Sequence, residues 1–356
     1  MIQSETVLVP VFQNRNFTPQ VMSPSLTFTV GRMSRNALGG PKRAEISAQG
    51  ENVQLAQFLN SLREPVEIYD DAGRLAWWGL VYGFSLDTEK QEVKLYCSGW
   101  WETLSWRTYL NSGTASVATT AQIQAIVTNM GEFITGVDVE NASGISSLET
   151  REGDRTGLEE IEDLLRAGTT NNRRLLSEVT QLRRLRIWEE PLPAANDLVL
   201  EGRVKIGAGL DSMVNKAWAL WSAPGESYRH NTATSTDAES ASEYGTKSQP
   251  LTLSAASETQ ANAYRDAEIA RRRYPIPTID VNGESGKIST YAGVEVPGYL
   301  VPAGIWLRIK DILPPSADTS RLADMSRIFV EEIEWSRTGG IRITPRDVPG
   351  RYGEEG

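Results

Sequence analysis

The sequence predicts a β-rich α+β protein made of two similar β units with mixed α/β insertions. Three observations carry this expectation. Period-two strands joined by polar turns fill Pro65 to Cys97, and strands in the same order fill Ile305 to Thr344. Between them lie helix-period stripes with capping signals. At 356 residues, two to three domains are expected. The hydrophobic fraction of 40% and charged fraction of 23% are those of an ordinary soluble globular chain.

Strand-like runs open the chain at Glu5–Phe12 and Leu26–Val30, followed by a break at Gly39-Gly40-Pro41 and a short alternating run, Ala44–Ala48. Leu55, Leu59 and Leu62 then suggest a helical stripe. Val66 and Ile68 alternate up to the turn Asp70-Asp71-Ala72-Gly73. Leu80, Tyr82, Phe84 and Leu86 read as one face of a strand that turns at Asp87-Thr88-Glu89-Lys90 and returns over Glu92–Cys97.

The middle of the chain changes period. Thr119-x-x-Gln122 and Thr156-x-x-Glu159 have capping-box spacing ahead of two stripes: Ile123, Ile126, Val127, Met130 and Leu158, Ile161, Leu164, Leu165. Leu175, Val179 and Leu182 suggest a third helix, capped by Asn171 or Asn172. Strands return from Leu198, with a long one over Val214–Trp221. The small-residue stretch Asn231–Ser248 reads as an exposed loop. Ser257-x-x-Gln260 opens a helix through Ala261, Tyr264, Ala267 and Ala270 that stops before Pro275 and Pro277. In the last part, Ile305–Lys310 ends at Asp311, Ile328–Trp335 turns at Ser336–Gly340, and Ile341–Thr344 returns. The tail 351–356 is expected to fray.

Signatures of chemistry are scarce, and no catalytic, cofactor-binding or metal site is expected. Cys97 is the lone cysteine, which excludes an intrachain disulfide; its alternating run makes it a small buried apolar residue. His230 is the lone histidine, so triads and zinc sites lack partners, and it reads as an exposed polar residue. Gly202-x-x-x-x-Gly207 lacks the following Lys-Ser/Thr of a phosphate loop, and Gly207-Ala208-Gly209 lacks the third glycine of a dinucleotide site. The carboxylate pairs Glu159-Glu160, Glu189-Glu190 and Glu331-Glu332 read as solvated or interface groups rather than a glycosidase pair. A net charge of −10 disfavours general attraction to nucleic acid. The basic groups Arg183-Arg184-x-Arg186 and Arg271-Arg272-Arg273 are expected in helical segments or at helix ends. Ten tryptophans, among them Trp77-Trp78, Trp100-Trp101, Trp106, Trp218, Trp221, Trp306 and Trp335, suit cores and interfaces better than stacking platforms for sugars or bases. Met1-Ile2-Gln3-Ser4-Glu5-Thr6 lacks the basic-then-apolar pattern expected of a secretory signal, and no apolar run of about 20 residues suggests stable membrane insertion.

Three stretches give the order of segments a family likeness. They are Val66-Glu67-Ile68-Tyr69-Asp70 through Trp78-Gly79-Leu80-Val81 to Leu95-Tyr96-Cys97-Ser98-Gly99-Trp100; Ser242-Glu243-Tyr244-Gly245 with the helix Thr259–Tyr274; and Val296-Pro297-Gly298 through Arg308-Ile309 to Ile328–Ile343. This pattern resembles the baseplate hub or tail-tip hub proteins of long-tailed bacteriophages and related contractile injection machines. It spans about residues 5–345 and is carried by segment order more than by specific motifs.

The resemblance implies two tail-tube-like β-barrel domains. Residues 1–110 would be the first barrel and 111–195 a mixed α/β insertion. Residues 196–240 and 290–345 would form the second barrel, with 241–289 an inserted loop-helix segment and 346–356 a tail. It further implies a non-enzymatic homotrimer at the distal end of the virion tail, made in the host cytoplasm. There it would join a sixfold tube to a threefold central spike or fibre. Its neighbours would be distal tail or tube proteins and the tape-measure protein, with DNA passing only in transit through the channel. Two alternatives stay open at this point. One is a sixfold distal-tail or tube-completion protein. The other is a carbohydrate-active tail protein that binds or degrades cell wall.

Overall fold

A computed structural model of the chain describes residues 7–109, 116–130, 132–140, 147–149, 155–167, 174–192, 194, 196–201, 204–210, 213–222, 228–254, 257–274, 276–281, 287–310, 327–338 and 340–345. The first part forms β1 (Val9–Phe12), β2 (Thr27–Asn36), β3 (Leu38–Gln49), α1 (Asn52–Leu55), β4 (Pro65–Tyr69), β5 (Leu75–Asp87) and β6 (Glu92–Ser98). Next come β7 (Ser116–Ala118), α2 (Thr119–Met130), β8 (Gly136–Glu140), β9 (Ser147–Glu149), α3 (Gly157–Ala167), β10 (Leu175–Val179) and β11 (Arg184–Glu189). Then follow β12 (Leu198–Glu201), β13 (Val204–Gly209), β14 (Lys216–Ser222), β15 (His230–Asn231), β16 (Ser235–Thr236), α4 (Ala238–Tyr244), β17 (Ser248–Ser254) and α5 (Glu258–Arg272). The last are β18 (Ile276–Val281), β19 (Lys287–Ser289), β20 (Trp306–Ile309), β21 (Arg327–Ser336) and β22 (Gly340–Pro345).

The fold is β-rich, as expected, and one sheet runs through both halves in the order β1-β4-β5-β6-β3-β2-β21-β20-β12-β19. Its first six strands curl around a core of Phe12, Val30, Met33, Ile46, Phe58, Ile68, Trp77, Val93, Leu95 and Cys97. Phe12, Phe28 and Phe58 meet with ring centroids 5.5–6.2 Å apart, bringing apolar bulk to the side where β1 and β2 do not pair. Bulges set which side chains reach this core. The extra residue between Val30 and Arg32 lets Val30 and Met33, three apart, face the same way.

A bulge at Tyr82 does the same in β5 and corrects the expected single face. Val81, Phe84 and Leu86 point into the first core, Leu80 points to the opposite side, and Tyr82 is exposed. Two other local expectations change. The Gly39-Gly40-Pro41 break is the start of an unbroken β3, because the hairpin turns at Ala37. The Leu55 stripe ends after one turn, where a 3-10 segment, Ala56–Asn60, buries Phe58 and leaves Leu59 and Leu62 exposed.

The region after the first sheet contains α2 and α3 as anticipated, with Ile123, Ile126, Val127, Ile161 and Leu165 buried together. The capping box at α3 is complete: the Thr156 amide donates to Glu159 Oε2 at 2.9 Å and the Glu159 amide to Thr156 Oγ1 at 3.3 Å. The third expected helix is instead a strand. β10 pairs antiparallel with β11 and parallel with β3, and is buried on both faces, so its apolar residues are nearly continuous. Asn171 and Asn172 lie outside the described residues.

The second half repeats one device of the first. β5 pairs through Leu75–Leu80 with the preceding strand β4, and through Leu80–Asp87 with the following strand β6. β21 pairs through Arg327–Phe329 with β20, and through Val330–Ser336 with β22. Each long strand carries a bulge where the second pairing begins, at Tyr82 and at Glu331. Leu200, Ile288, Val301, Leu307, Ile309, Ile328, Val330 and Ile343 form the second core.

Residues 213–222, 228–254 and 257–274 build a separate module. β14 is its central strand, with β17 parallel on one side and β15 and β16 antiparallel on the other. The expected boundary between residues 240 and 241 therefore runs through one small sheet. The loop expected over Asn231–Ser248 contains β16 and α4, which a side chain starts: Asp237 Oδ1 accepts from the Ser240 amide at 2.9 Å. On α5 the inner positions are Ala261, Tyr264, Arg265 and Ile269, while Ala270 is exposed. No helix among the described residues is long and apolar enough to cross a membrane.

Candidate functional site: the reciprocal clasp between the halves

Each half of the molecule inserts an element into the other. The first insertion is the tip of the β2–β3 hairpin. Asn36 holds the turn by accepting the Leu38 amide on Oδ1 at 2.9 Å. The Ala37 amide donates to the Glu331 carbonyl at 2.8 Å, and the Ser177 amide donates to the Ala37 carbonyl at 3.3 Å. Ala37 is thereby buried among Leu176, Trp306 and Phe329, which come from three separate strands. Ser177 also uses its hydroxyl, accepting the Gly39 amide at 3.1 Å.

The glycines explain how the arm fits. At φ +91°, Gly39 has a conformation other residues avoid, and a Cβ there would lie 2.2 Å from Trp101 Cγ. A Cβ on Gly40, at φ +79°, would lie 2.6 Å from Glu178 Cγ. These two positions let backbone pass between an indole and a half-buried acid.

Charges brace the tip. Arg174 grips Glu331 through two 2.7 Å hydrogen bonds, and Lys42 Nζ meets Glu332 Oε2 at 2.9 Å. Arg35 donates to the Ala76 carbonyl and lies 5.2 Å from the Trp78 ring centroid. Burial raises the Glu178 carboxyl above its ordinary range, although Arg35 and Arg186 oppose that shift. A cleft of about 240 Å³ opens here, with Arg35, Glu178, Arg186, Trp188 and Pro302 in its wall.

The return insertion is Tyr299, on a short 3-10 turn, Gly298–Leu300. Its ring enters the first core edge-on to Trp335, centroids 5.8 Å apart, and its hydroxyl donates to Asp70 Oδ2 at 3.4 Å. Asp70 is buried, which disfavours its charge. The Arg74 and Ala72 amides and the Arg74 guanidinium outweigh that and hold the carboxyl below its ordinary range.

The clasp also joins the polar face of the sheet, on which Ser34 and Ser98 are buried, across the two halves. Tyr96, Glu45, Arg32 and Ser336 lie side by side on β6, β3, β2 and β21. Ser98, Arg43, Ser34, Glu334 and Arg342 form the next row, out to β22. Arg32 and Glu45 pair within the face at 2.6 Å.

The residues singled out in the sequence fall elsewhere or serve the framework. Cys97 is fully buried, and burial pushes its thiol pKa strongly up. His230 is half-buried rather than exposed, stacked on Trp221 at 4.6 Å with Tyr228 edge-on at 4.8 Å. The Arg183–Arg186 group lies on a turn and β11, not on a helix. Arg183 covers the Phe17 ring at 3.8 Å, Arg184 binds Asp138 through two bonds, and Arg186 pairs with Glu140 at 2.7 Å. Arg272 and Arg273 do end α5, pairing with Glu268 and Asp237. Gly207 and Gly209 lie in β13 and Gly202 outside the described residues. Glu189 and Glu190 sit at the end of β11, with Glu190 buried.

Trp77 and Trp78, adjacent on β5, enter opposite cores, and the Trp78 indole donates to the Val179 carbonyl at 2.8 Å. Trp100, Trp101, Trp221 and Trp306 are buried, Trp218 and Trp335 half-buried, and Trp106 exposed. Among the described residues no group of three or more His, Cys, Asp and Glu could hold a metal ion. Ala37, Ser177 and Tyr299 had no distinguishing sequence signal; the paired Gly39-Gly40 was the nearest one, and it read as a break.

No family model matches the chain, and no curated protein matches it in sequence. Its fold does have relatives among solved structures. It is similar to the prophage tail protein gp18 from Listeria monocytogenes, with a TM-score of 0.60 and 12% identity over 96% of this chain and 95% of that one. The prophage MuSo2 43 kDa tail protein from Shewanella oneidensis gives a TM-score of 0.59 and 14% identity, covering 97% of this chain and 99% of that one. The E. coli c3393 protein, described as a type VI secretion component structurally similar to T4 tail proteins gp27 and gp5, gives 0.50 and 9% identity, covering 94% and 77%. The chain thus has the fold of phage tail proteins.

Proposed function

We propose that the chain is a structural hub of a phage tail tip or baseplate, acting as a trimeric adaptor between a sixfold tube and a threefold spike or fibre. The observation that carries this reading is the β2–β21 pairing, which fixes two bulged meanders of like topology in one sheet. Three chains with two such units each present six similar elements in threefold symmetry. The reciprocal clasp supports the role, because a symmetry adaptor needs its two units held at one angle. The likeness in fold to phage tail proteins and to a type VI component described as gp27- and gp5-like supports it too.

In this reading the two units are the barrels expected from sequence. The inserted segment of the second is wider than expected, about 204–281, because β13 to β18 leave the main sheet. The two rows mix both signs of charge with hydroxyls, a surface suited to a channel that DNA crosses without lodging. The tape-measure protein and distal tail or tube proteins would be its neighbours. No catalytic role is assigned, since Glu331, Glu332 and Glu159 are committed to ion pairs and a cap.

Light scattering of the purified protein, with electron cryomicroscopy of assembled particles, tests the reading. The expected result is three copies at the distal end of the tail. A stable monomer at tens of micromolar that is also missing from the tail tip would sink it, and six copies in one ring would favour a tube-completion role.

A further inference from the structure

We propose that an arginine–aromatic patch on the first half is the surface on which a second copy of this chain docks an acidic face. The inference rests on the trimeric reading above and names where one copy meets the next. Three observations carry it. First, five segments far apart in sequence build one connected surface. The Trp100 and Phe133 rings stack with centroids 5.8 Å apart, Phe17 lies 6.0 Å from Trp100, and Trp106 meets Phe133 edge-on at 5.6 Å. Guanidinium groups cover these rings, Arg63 at 5.1 Å from Phe133 and Arg183 at 3.8 Å from Phe17. Arg107 donates to Glu132 Oε2 at 3.1 Å, and Arg63 holds the other oxygen of that carboxylate.

Second, the outer part of this surface faces water although it is aromatic. Trp106 is 44% and Leu62 40% exposed, and the Arg63 and Arg107 side chains 46% and 57%. An exposed tryptophan among arginines is the composition of the energetic centre of protein–protein contacts, where both residue types are enriched.

Third, the backbone beneath the patch is held in conformations that side chains disfavour. Among the described residues, Phe17, Arg63, Gln91 and Arg183 are the non-glycine residues at positive φ. Three of those four belong to the patch, Phe17 at 61°, Arg63 at 70° and Arg183 at 60°. Such conformations gather at binding sites, where the surroundings over-determine them. Here the Arg63 amide is fixed on the Val81 carbonyl at 2.7 Å and the Arg183 amide on the Thr180 carbonyl at 2.8 Å. Side chains already fixed over rings lose little freedom when a partner arrives. Charge selects that partner. The patch gathers arginines around the carboxylate of Glu132, and at its margin Glu67 accepts from Tyr69 and Gln181. The chain as a whole carries −10, so the remainder of a second copy is acidic on balance and opposite in sign. A contact between two different surfaces of identical chains is also the kind that closes a threefold ring.

Light scattering of the full chain and of single variants tests the patch, with circular dichroism as the check on folding. Trp106→Ala and, separately, Arg107→Glu should shift the protein from three copies toward one and raise the dissociation constant at least about tenfold, with the dichroism unchanged. Lys90→Glu makes the same change of charge on the β5–β6 turn and should leave three copies. Wild-type assembly should also weaken as salt is raised, and indifference to salt would overturn the charge pairing. If the wild type forms three copies and both patch variants keep them, the patch is overturned while the adaptor reading stands. A wild-type monomer in solution would overturn the patch as a contact between copies, and copy number in assembled particles would still decide the adaptor reading. Equal dissociation by Lys90→Glu would overturn the patch as the particular site. Variants that keep three copies but lose binding to a fluorescent single-stranded oligonucleotide would assign the patch to nucleic acid instead.

Discussion

The first sheet and the 213–274 module are both β-structures, yet they are held together differently. The first sheet encloses a large continuous apolar core with Trp77, Phe12 and Phe58 almost fully excluded from water. Among its described residues the module has two small clusters, Ala219 with Trp221 and Ala261, and Val214 with Ala217 and Ile269. Beside them stands a polar network around Asn215, Asp237, Arg265 and Arg273. Apolar burial is tolerant of geometry and scales with area, whereas a buried polar network depends on every partner being present. The contrast teaches that the body should lose stability gradually with lost volume, and the module abruptly with a lost hydrogen bond.

The largest expected effect breaks the apolar side of this comparison. Trp77→Ala should cost the main unfolding transition about 3–5 kcal/mol in a denaturant titration, with protection of α4 and β17 amides against exchange unchanged. Next, Asn215→Leu keeps the volume but orphans the Lys247 amide and the Gly245 carbonyl. At about 1–3 kcal/mol for each orphaned group, exchange should accelerate throughout 213–274 and leave β3 and β6 protected.

Asp70→Asn sharpens the comparison at the clasp, where a polar group serves an apolar core. A loss of about 1–2 kcal/mol is expected from the weakened Arg74 and Tyr299 bonds. The pH dependence has a definite sign. Because the folded carboxyl titrates below its ordinary value of about 3.9, its contribution is complete above that pH and disappears as pH falls through the folded pKa. Acid titration of the wild type should show this loss, and the Asn variant should lack it. The smallest effect is expected for Arg32→Ala on the polar face, under about 1 kcal/mol and reduced further by salt, since the side chains of its ion pair are 46% and 40% exposed.

Local structure was legible where one segment makes its own bonds. The turn at Asp87 is held by that residue's own side chain, which accepts the Glu89 and Lys90 amides. The Thr156–Glu159 cap likewise needs four consecutive residues and nothing else. Leu175, Val179 and Leu182 misled because a helical stripe and a strand buried on both faces both place apolar residues four apart; pairing with β3 and β11 decided between them. Asn231–Ser248 looked like a loop because its partners, Asn215 and Arg273, lie far away in sequence. Of the clasp, the sequence disclosed only a pair of glycines, since what they accommodate, Trp101 and Glu178, comes from two other segments.

By itself, then, the sequence determined a β-rich chain with two strand sets of like order and capped helices between them. Periodicity, caps and turns are short-range physics, written within a few residues. Tertiary structure alone decided that β2 pairs with β21, that Ala37 and Tyr299 each enter the opposite half, and that β14 gathers β15, β16 and β17 into a small sheet. Those outcomes depend on which surfaces meet across some tens to about three hundred residues, where backbone pairing is nearly indifferent to residue type and only the fit of complementary surfaces selects the partner.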